Sequence, residues 1–143
     1  MKRKANAVWN GGGTDGKGMV TTGSGALQDH PYTAFGRFES EDGKAGTNPE
    51  ELIAAAHAGC FTMALSFQLS GAGHPPQELA TEAVLDMRKE DIGWTIKSIH
   101  LNVRGRVDGI SADDFQSLAT KAKEGCPVSR VLNADITMTA ELA

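Results

Sequence analysis

Two cysteines are the residues of this 143-residue chain with the clearest capacity for chemistry. Cys60 lies within 52–69, a run with almost no charge, whereas Cys126 directly precedes Pro127 at the expected start of a short helix. A helix N-terminus favours thiolate through its dipole and free amides, so Cys126 has local help toward ionisation. Cys60, in mid-helix, has no such help, so a cation from outside the helix would have to stabilise its thiolate. Two cysteines are too few for a disulfide framework, so in a reducing compartment they are either apolar packing or a redox pair.

Two further side chains could act on a thiol. His57 precedes Cys60 by three residues and so shares its side of the helix, where it could serve as a base or as a metal ligand. We favour a packed histidine, because no carboxylate or third ligand stands nearby in the helix to orient the imidazole. Arg37 offers a planar fork of donors that could bind a carboxylate and lower a nearby thiol's pKa. The ordinary interpretation is a solvated arginine on a strand.

The helices that would carry these residues are marked by their caps. The central helix is predicted over 49–70, with Asn48 as its N-cap and Glu51 completing a capping box. It is apolar on nearly every face, so we expect it to be buried from several sides. A second helix is predicted over 111–125, with Ser111 as its N-cap.

Alternation of apolar and polar residues predicts the strands. They are expected at 4–9, 18–23, 33–39, 78–89, 94–107 and 134–142. A break in the alternation near Lys97 and Ser98 is typical of a β-bulge. This order predicts one α+β domain over 1–143, with antiparallel sheet and helices against one face.

Charge and hydropathy exclude several classes of partner. The net charge of −4 shows no basic excess, which argues against nucleic acid. No stretch reaches about 20 uninterrupted apolar residues, and the basic start is not followed by the apolar core of a signal peptide. We therefore expect a soluble cytoplasmic protein with no membrane partner.

Three segments together carry a family resemblance: 46–52 (GTNPEEL), 56–61 (AHAGCF) and 122–129 (AKEGCPVS). They resemble the OsmC/Ohr family, the osmotically inducible and organic-hydroperoxide-resistance proteins of bacteria. The resemblance covers essentially the whole chain. The arginine in Gly36-Arg37-Phe38 is similar to that of the OsmC branch, because the Ohr branch places its arginine nearer the N-terminus.

The resemblance implies a function and a site. It implies a thiol-dependent peroxidase that reduces organic hydroperoxides, and hydrogen peroxide more weakly, in oxidative or osmotic stress defence. Cys60 would be the peroxidatic thiolate and Cys126 the resolving thiol that forms an intramolecular disulfide with it. Arg37 would stabilise the thiolate and polarise the peroxide, and Glu50 would hold Arg37 in place. A dithiol, either a lipoylated protein or another thiol donor, would reduce the disulfide. No cofactor and no metal is implied.

The position of Glu50 bears on the assembly. Glu50 and Cys60 are ten residues apart, which is about 15 Å along a straight helix. Either the helix bends, or Glu50 and Arg37 reach the site from a second subunit. We therefore predict a two-fold homodimer with two sites at the subunit boundary. The family resemblance likewise implies a homodimer, with intertwined subunits.

Two other classes use the same residues differently. A metal-binding protein could use Cys60, Cys126, His57 and His100, but closely spaced ligand pairs such as C-x-x-C are missing from the sequence. A non-catalytic protein that binds a small ligand would keep both thiols as packing. Reaction of the thiols with a hydroperoxide separates these classes.

Overall fold

The computed structural model describes residues 1–41 and 43–143 of the chain. The elements follow in the order β1 (Ala5–Asn10), β2 (Lys17–Thr22), β3 (His30–Thr33), α1 (Ala34–Phe38), α2 (Pro49–Gly71), β4 (Glu78–Glu90), β5 (Gly93–Arg106), α3 (Ala112–Gly125), α4 (Pro127–Val131) and β6 (Asp135–Leu142). They divide into two compact units, Met1–Leu52 and Ile53–Ala143. The predicted α+β class is confirmed, and the structure shows it as two small sheets and a long central helix.

The first unit is an antiparallel meander with strand order β1-β2-β3. Its register places Gly18 between Trp9 of β1 and Tyr32 of β3. The two rings tilt toward each other over this glycine, with centroids 5.4 Å apart. Glycine is needed there because a Cβ atom on residue 18 would collide with both rings.

We expect Gly18→Ala to lower the free energy of unfolding by about 1–3 kcal/mol, which is the usual cost of overpacking. Neither ring can move away from the new methyl group without breaking the contact between Trp9 and Tyr32. Chemical denaturation followed by tryptophan fluorescence measures this loss. Gly13→Ala is the matched control, since a Cβ atom on residue 13 meets open space. Equal stability of the two variants would contradict the packing argument.

The second unit contains a three-stranded sheet with order β4-β5-β6. Strands β4 and β5 form a long antiparallel hairpin, but β6 lies parallel to β5, so the expectation of a wholly antiparallel sheet is corrected to a mixed one. The reason is the intervening pair of helices. Helices α3 and α4 return the chain to the start of β5, and a crossover of this kind produces parallel strands.

The predicted bulge is confirmed in the β4–β5 hairpin. Ser98 pairs with Asp86 and Ile96 pairs with Met87, so Lys97 is the extra residue on β5. Lys97 uses this position to bind Glu90 across the hairpin, at 2.8 Å.

Helix α2 buries one stripe rather than several sides. Within this chain its fully buried residues recur every four positions, namely His57, Phe61, Leu65 and Leu69. The three apolar members pack in one core with Ile99 and Leu101 of β5 and Phe115 of α3. Met63 and Phe67, in contrast, are 64% and 73% exposed. The helix is also long and apolar enough to cross a membrane by composition, with 22% of its most apolar window buried here. Phe61, Leu65 and Leu69 of this helix nevertheless pack in the core of the second unit.

Helix α3 is built as its sequence predicts. The hydroxyl of Ser111 accepts a hydrogen bond from the Asp114 amide at 3.1 Å, which caps the helix. Its apolar stripe faces the core through Phe115, Ala119 and Ala122. Gly125 ends the helix, and Cys126 is both its C-cap and the N-cap of α4.

Candidate active site

The four residues that the family resemblance implies lie in two pairs. Arg37 and Glu50 contact each other in the unit 1–52, and Cys60 and Cys126 contact each other in the unit 53–143.

Arg37 lies in helix α1, which corrects the strand predicted over 33–39. The alternation of that segment ends at Thr33, whose hydroxyl accepts a hydrogen bond from the Gly36 amide at 2.9 Å and caps a short helix. Gly36 permits this turn, since a Cβ atom would meet the carbonyl oxygen of Ala45 at 2.5 Å. Helix α1 directs the guanidinium of Arg37 to the start of α2 and over the ring of Phe38, whose centroid is 4.7 Å away.

Glu50 binds Arg37 in a bidentate ion pair. Nη2 of Arg37 donates to Oε1 at 2.6 Å, and Nε donates to Oε2 at 3.1 Å. Asn48 caps α2 by accepting from the Glu51 amide at 2.8 Å, while the Glu51 carboxylate accepts from the Thr47 hydroxyl at 2.8 Å. The Glu51 carboxylate of the predicted capping box thus binds the Thr47 hydroxyl, one residue before the N-cap, and Glu50 is left to hold Arg37. A bidentate pair fixes the orientation as well as the position of a guanidinium.

A cavity of about 240 Å³ borders Arg37 within the first unit. Its wall includes the aromatic rings of Trp9, Tyr32 and Phe38. The cavity thus presents one fixed cation beside an apolar surface, which suits a molecule with a polar head and an apolar body.

Cys60 and Cys126 bring their sulfur atoms to 2.9 Å from each other, where they share a hydrogen bond. Both are free thiols. Helix α2 supplies Cys60, which is partly buried, and the junction between α3 and α4 supplies Cys126, which is fully buried. The 66 positions that separate them in the chain are bridged by the folding of α4 against α2.

The surroundings of the two thiols act on their pKa values in opposite directions. Burial raises the pKa of Cys60, the hydrogen bond with Cys126 raises it further, and the Val128 amide offsets this only in part. Burial also opposes ionisation of Cys126, but the hydrogen bond with Cys60, the Ser129 amide and hydroxyl, and the Val128 amide lower its pKa below the ordinary value. These amides belong to the first turn of α4, although none makes a full capping bond to the sulfur. In this arrangement negative charge is favoured on Cys126.

His57 is fully buried, as the packed interpretation predicts, but it has a specific partner. Its Nε2 lies 2.7 Å from the hydroxyl of Ser129. Burial lowers the pKa of His57, so the imidazole is neutral near pH 7. The contact between His57 and Ser129 is not predicted by the local sequence around either residue. The available signal was the position of Ser129, three residues after Cys126 as His57 is three before Cys60.

The alternative of a metal centre finds no cluster to support it. In the ranges 1–41 and 43–143, no three His, Cys, Asp or Glu side chains gather where they could bind one ion. His100 instead contacts the hydroxyls of Thr137 and Thr139 on β6.

A partly buried cysteine in contact with a second cysteine at a helix N-cap, on an α+β fold, is the arrangement that a two-cysteine redox protein requires. Comparison with known proteins identifies the family to which the chain belongs. Residues 41–141 match the family model of the OsmC-like proteins. Peroxiredoxin OsmC of Escherichia coli (strain K12) is 48% identical over 142 residues, which cover 99% of this chain and 97% of that protein. The organic hydroperoxide resistance protein OhrA of Bacillus subtilis (strain 168) is 33% identical over 98 residues, covering 68% and 67%.

Solved structures of organic hydroperoxide resistance proteins have the same fold as this chain. The crystal structure of the organic hydroperoxide resistance protein OhrB of Bacillus subtilis matches with a TM-score of 0.73 at 25% identity, covering 96% of this chain and 98% of that one. An organic hydroperoxide resistance protein from Elizabethkingia anophelis shares the fold with a TM-score of 0.75 at 22% identity. The chain belongs to the OsmC-like protein family.

Proposed function

We propose that this thiol-dependent peroxidase reduces organic hydroperoxides with Cys60 as the peroxidatic and Cys126 as the resolving thiol. The observation that carries the assignment is the 2.9 Å contact between the two sulfur atoms. A sulfenic acid at Cys60 would form next to the thiol that removes it, before a second peroxide oxidises it irreversibly. The names of the relatives, peroxiredoxin and organic hydroperoxide resistance protein, support the same substrate class.

The proposed cycle has three steps. The Cys60 thiolate attacks the terminal peroxide oxygen, the O–O bond breaks, and the alkoxide takes a proton and leaves as alcohol, with sulfenic acid on Cys60. Cys126 then attacks the Cys60 sulfur, the S–O bond breaks, and the hydroxide leaves as water with the thiol proton. A dithiol reduces the resulting disulfide by thiol–disulfide exchange and becomes a disulfide itself. We propose a lipoylated protein or another thiol donor for this step.

Arg37 is assigned the electrostatic role in the first step. Neither burial nor the hydrogen bond with Cys126 favours the Cys60 thiolate, so a cation must. The guanidinium of Arg37 is permanently charged and is fixed by both oxygens of Glu50. The cavity beside it would receive the apolar body of the hydroperoxide against Trp9, Tyr32 and Phe38.

We propose that the enzyme is a two-fold homodimer in the cytoplasm. All six residues of β1 are exposed in the single chain, and Val8 pairs with Met19 on an apolar patch that is 59% and 52% exposed. A three-stranded sheet is stabilised by packing its hydrophobic face against another element, so a partner subunit over this patch would stabilise it. Met63 and Phe67 of α2 are also exposed apolar side chains that a partner subunit would cover. Because α2 is one continuous helix, we propose that Arg37 and Glu50 complete the site of the partner subunit.

One equivalent of cumene hydroperoxide tests the function directly. We expect the reduced, metal-free protein to lose two thiols per chain and to gain one intramolecular disulfide between Cys60 and Cys126, because the two sulfurs are already in contact. Thiol titration and peptide mass spectrometry measure both. Adding a lipoyl or a thioredoxin-type reductant then shows which restores the thiols. Unreacted thiols in the metal-free protein would overturn the proposal, and a bound zinc ion in each chain would favour the metal-binding class.

A further inference from the structure

His57 occupies a position where an aliphatic side chain would cost less. It is the first of four fully buried residues on one stripe of α2, and the other three are Phe61, Leu65 and Leu69. Its Nδ1 is the buried side-chain nitrogen or oxygen atom without a hydrogen-bond partner among the residues that the structure describes. A buried polar group without a hydrogen-bond partner destabilises the folded state. An imidazole kept at this cost must be needed for its other nitrogen, Nε2.

That nitrogen takes part in a two-point attachment between α2 and the start of α4. His57 contacts Ser129 at 2.7 Å, and Cys60 contacts Cys126 at 2.9 Å. The two residues on α2 are three positions apart, and so are their two partners. Residues three apart lie on one side of a helical turn, so both contacts face the same way. The hydrogen bond to Ser129 therefore fixes the segment that carries Cys126.

We propose that His57 is a positioning residue for the resolving step, acting through Ser129. The proposal rests on the proposed function, in which Cys126 attacks the sulfenic acid of Cys60. In that step the S–S bond forms and the S–O bond breaks. Cys126 is oxidised, the Cys60 sulfur is reduced, and the hydroxide takes the thiol proton to leave as water. The His57–Ser129 bond holds the segment that carries Cys126 in line for this attack.

A role for His57 as the base of Cys60 fits the geometry less well. The Nε2 atom is engaged by Ser129, and the opposite nitrogen faces a buried environment without a partner. An effect on the second chemical step, rather than on peroxide attack, is what this arrangement predicts.

Single-turnover kinetics with cumene hydroperoxide test the proposal. Rapid mixing gives the rate of sulfenic acid formation, and trapping of the sulfenic acid with dimedone against time gives the rate of disulfide formation. We expect His57→Leu and Ser129→Ala to lower the ratio of the second rate to the first about tenfold, because each removes the attachment. His57→Gln and Ser129→Thr should restore most of the ratio, since each keeps a hydrogen-bonding group.

Two further variants separate positioning from stability. The double variant His57→Leu/Ser129→Ala leaves no unpaired buried group, so its stability should recover while its ratio of rates stays as low as that of the single variants. Thr62→Val is the matched control, because it removes a different hydrogen bond of α2, the one of 2.7 Å to Thr81 of β4. This variant should be less stable than the parent protein but keep the parent ratio of the two rates.

The outcomes distinguish this inference from the function it rests on. If the ratio recovers together with stability in the double variant, His57 is a structural residue and the inference fails. If Cys126→Ser accumulates sulfenic acid but the His57 and Ser129 variants resolve at the parent ratio, the inference fails and the function stands. If no variant, Cys126→Ser included, forms sulfenic acid, the function itself fails.

Discussion

Replacing Cys60 with serine is expected to abolish the reduction of organic hydroperoxides. A serine hydroxyl is not ionised near neutral pH and is a poor nucleophile toward the O–O bond, so the first step has no replacement. Loss of the nucleophile should lower turnover on the order of 10⁴ to 10⁶ fold. Consumption of cumene hydroperoxide in the presence of a dithiol measures it.

Cys126→Ser is the matched control for that experiment. We expect it to complete one turnover and to stop with sulfenic acid on Cys60, since the thiol that we propose to resolve it is missing. The structure makes the reverse assignment a real competitor, because the pKa of Cys126 is lowered while that of Cys60 is raised. Single turnover by Cys60→Ser and none by Cys126→Ser would exchange the two roles.

Replacing Arg37 with methionine is expected to slow sulfenic acid formation by about 10² to 10³ fold, the usual effect of removing one preorganised donor from a reaction centre. Methionine keeps much of the side chain's length and removes the charge. The absorbance of the Cys60 thiolate, followed against pH in a Cys126→Ser background, should show a raised pKa. Glu50→Gln should have a smaller effect, because Arg37 keeps its charge and loses only its anchor. An unchanged rate of sulfenic acid formation in Arg37→Met would show that Arg37 does not act in this step.

Mixed dimers show which subunit Arg37 serves. In a dimer of one Arg37→Met chain and one Cys60→Ser chain, an arginine acting across the boundary leaves one complete site. Activity should then return to about one half of the parent value per mixed dimer. If the mixed dimers form and stay inactive, Arg37 acts on Cys60 of its own chain.

Much of this architecture follows from local signals in the sequence. The caps at Asn48 and Ser111 and the break at Lys97 are decided by neighbouring residues, and the structure confirms each of them. The contact between Cys60 and Cys126 was implied by the family motifs, since their separation of 66 positions carries no local signal.

The corrections share a physical cause, which is competition between local pattern and long-range structure. The segment 33–39 alternates like a strand, but the Thr33 hydroxyl captures the Gly36 amide and turns it into a helix. Strand β6 alternates equally well in either direction, so only the crossover through α3 decides that it lies parallel to β5. The sequence around His57 predicts only packing, because its hydrogen-bond partner, Ser129, is 72 positions away.

The parallel pairing of β6 with β5 also bears on when the enzyme becomes competent during its synthesis. Parallel strands require a completed crossover, and long-range pairing of this kind forms late. This crossover contains Cys126, so Cys60 emerges from the ribosome well before its partner can dock. The two thiols can therefore act as a pair only after the segment between β5 and β6, which carries Cys126, has folded against α2.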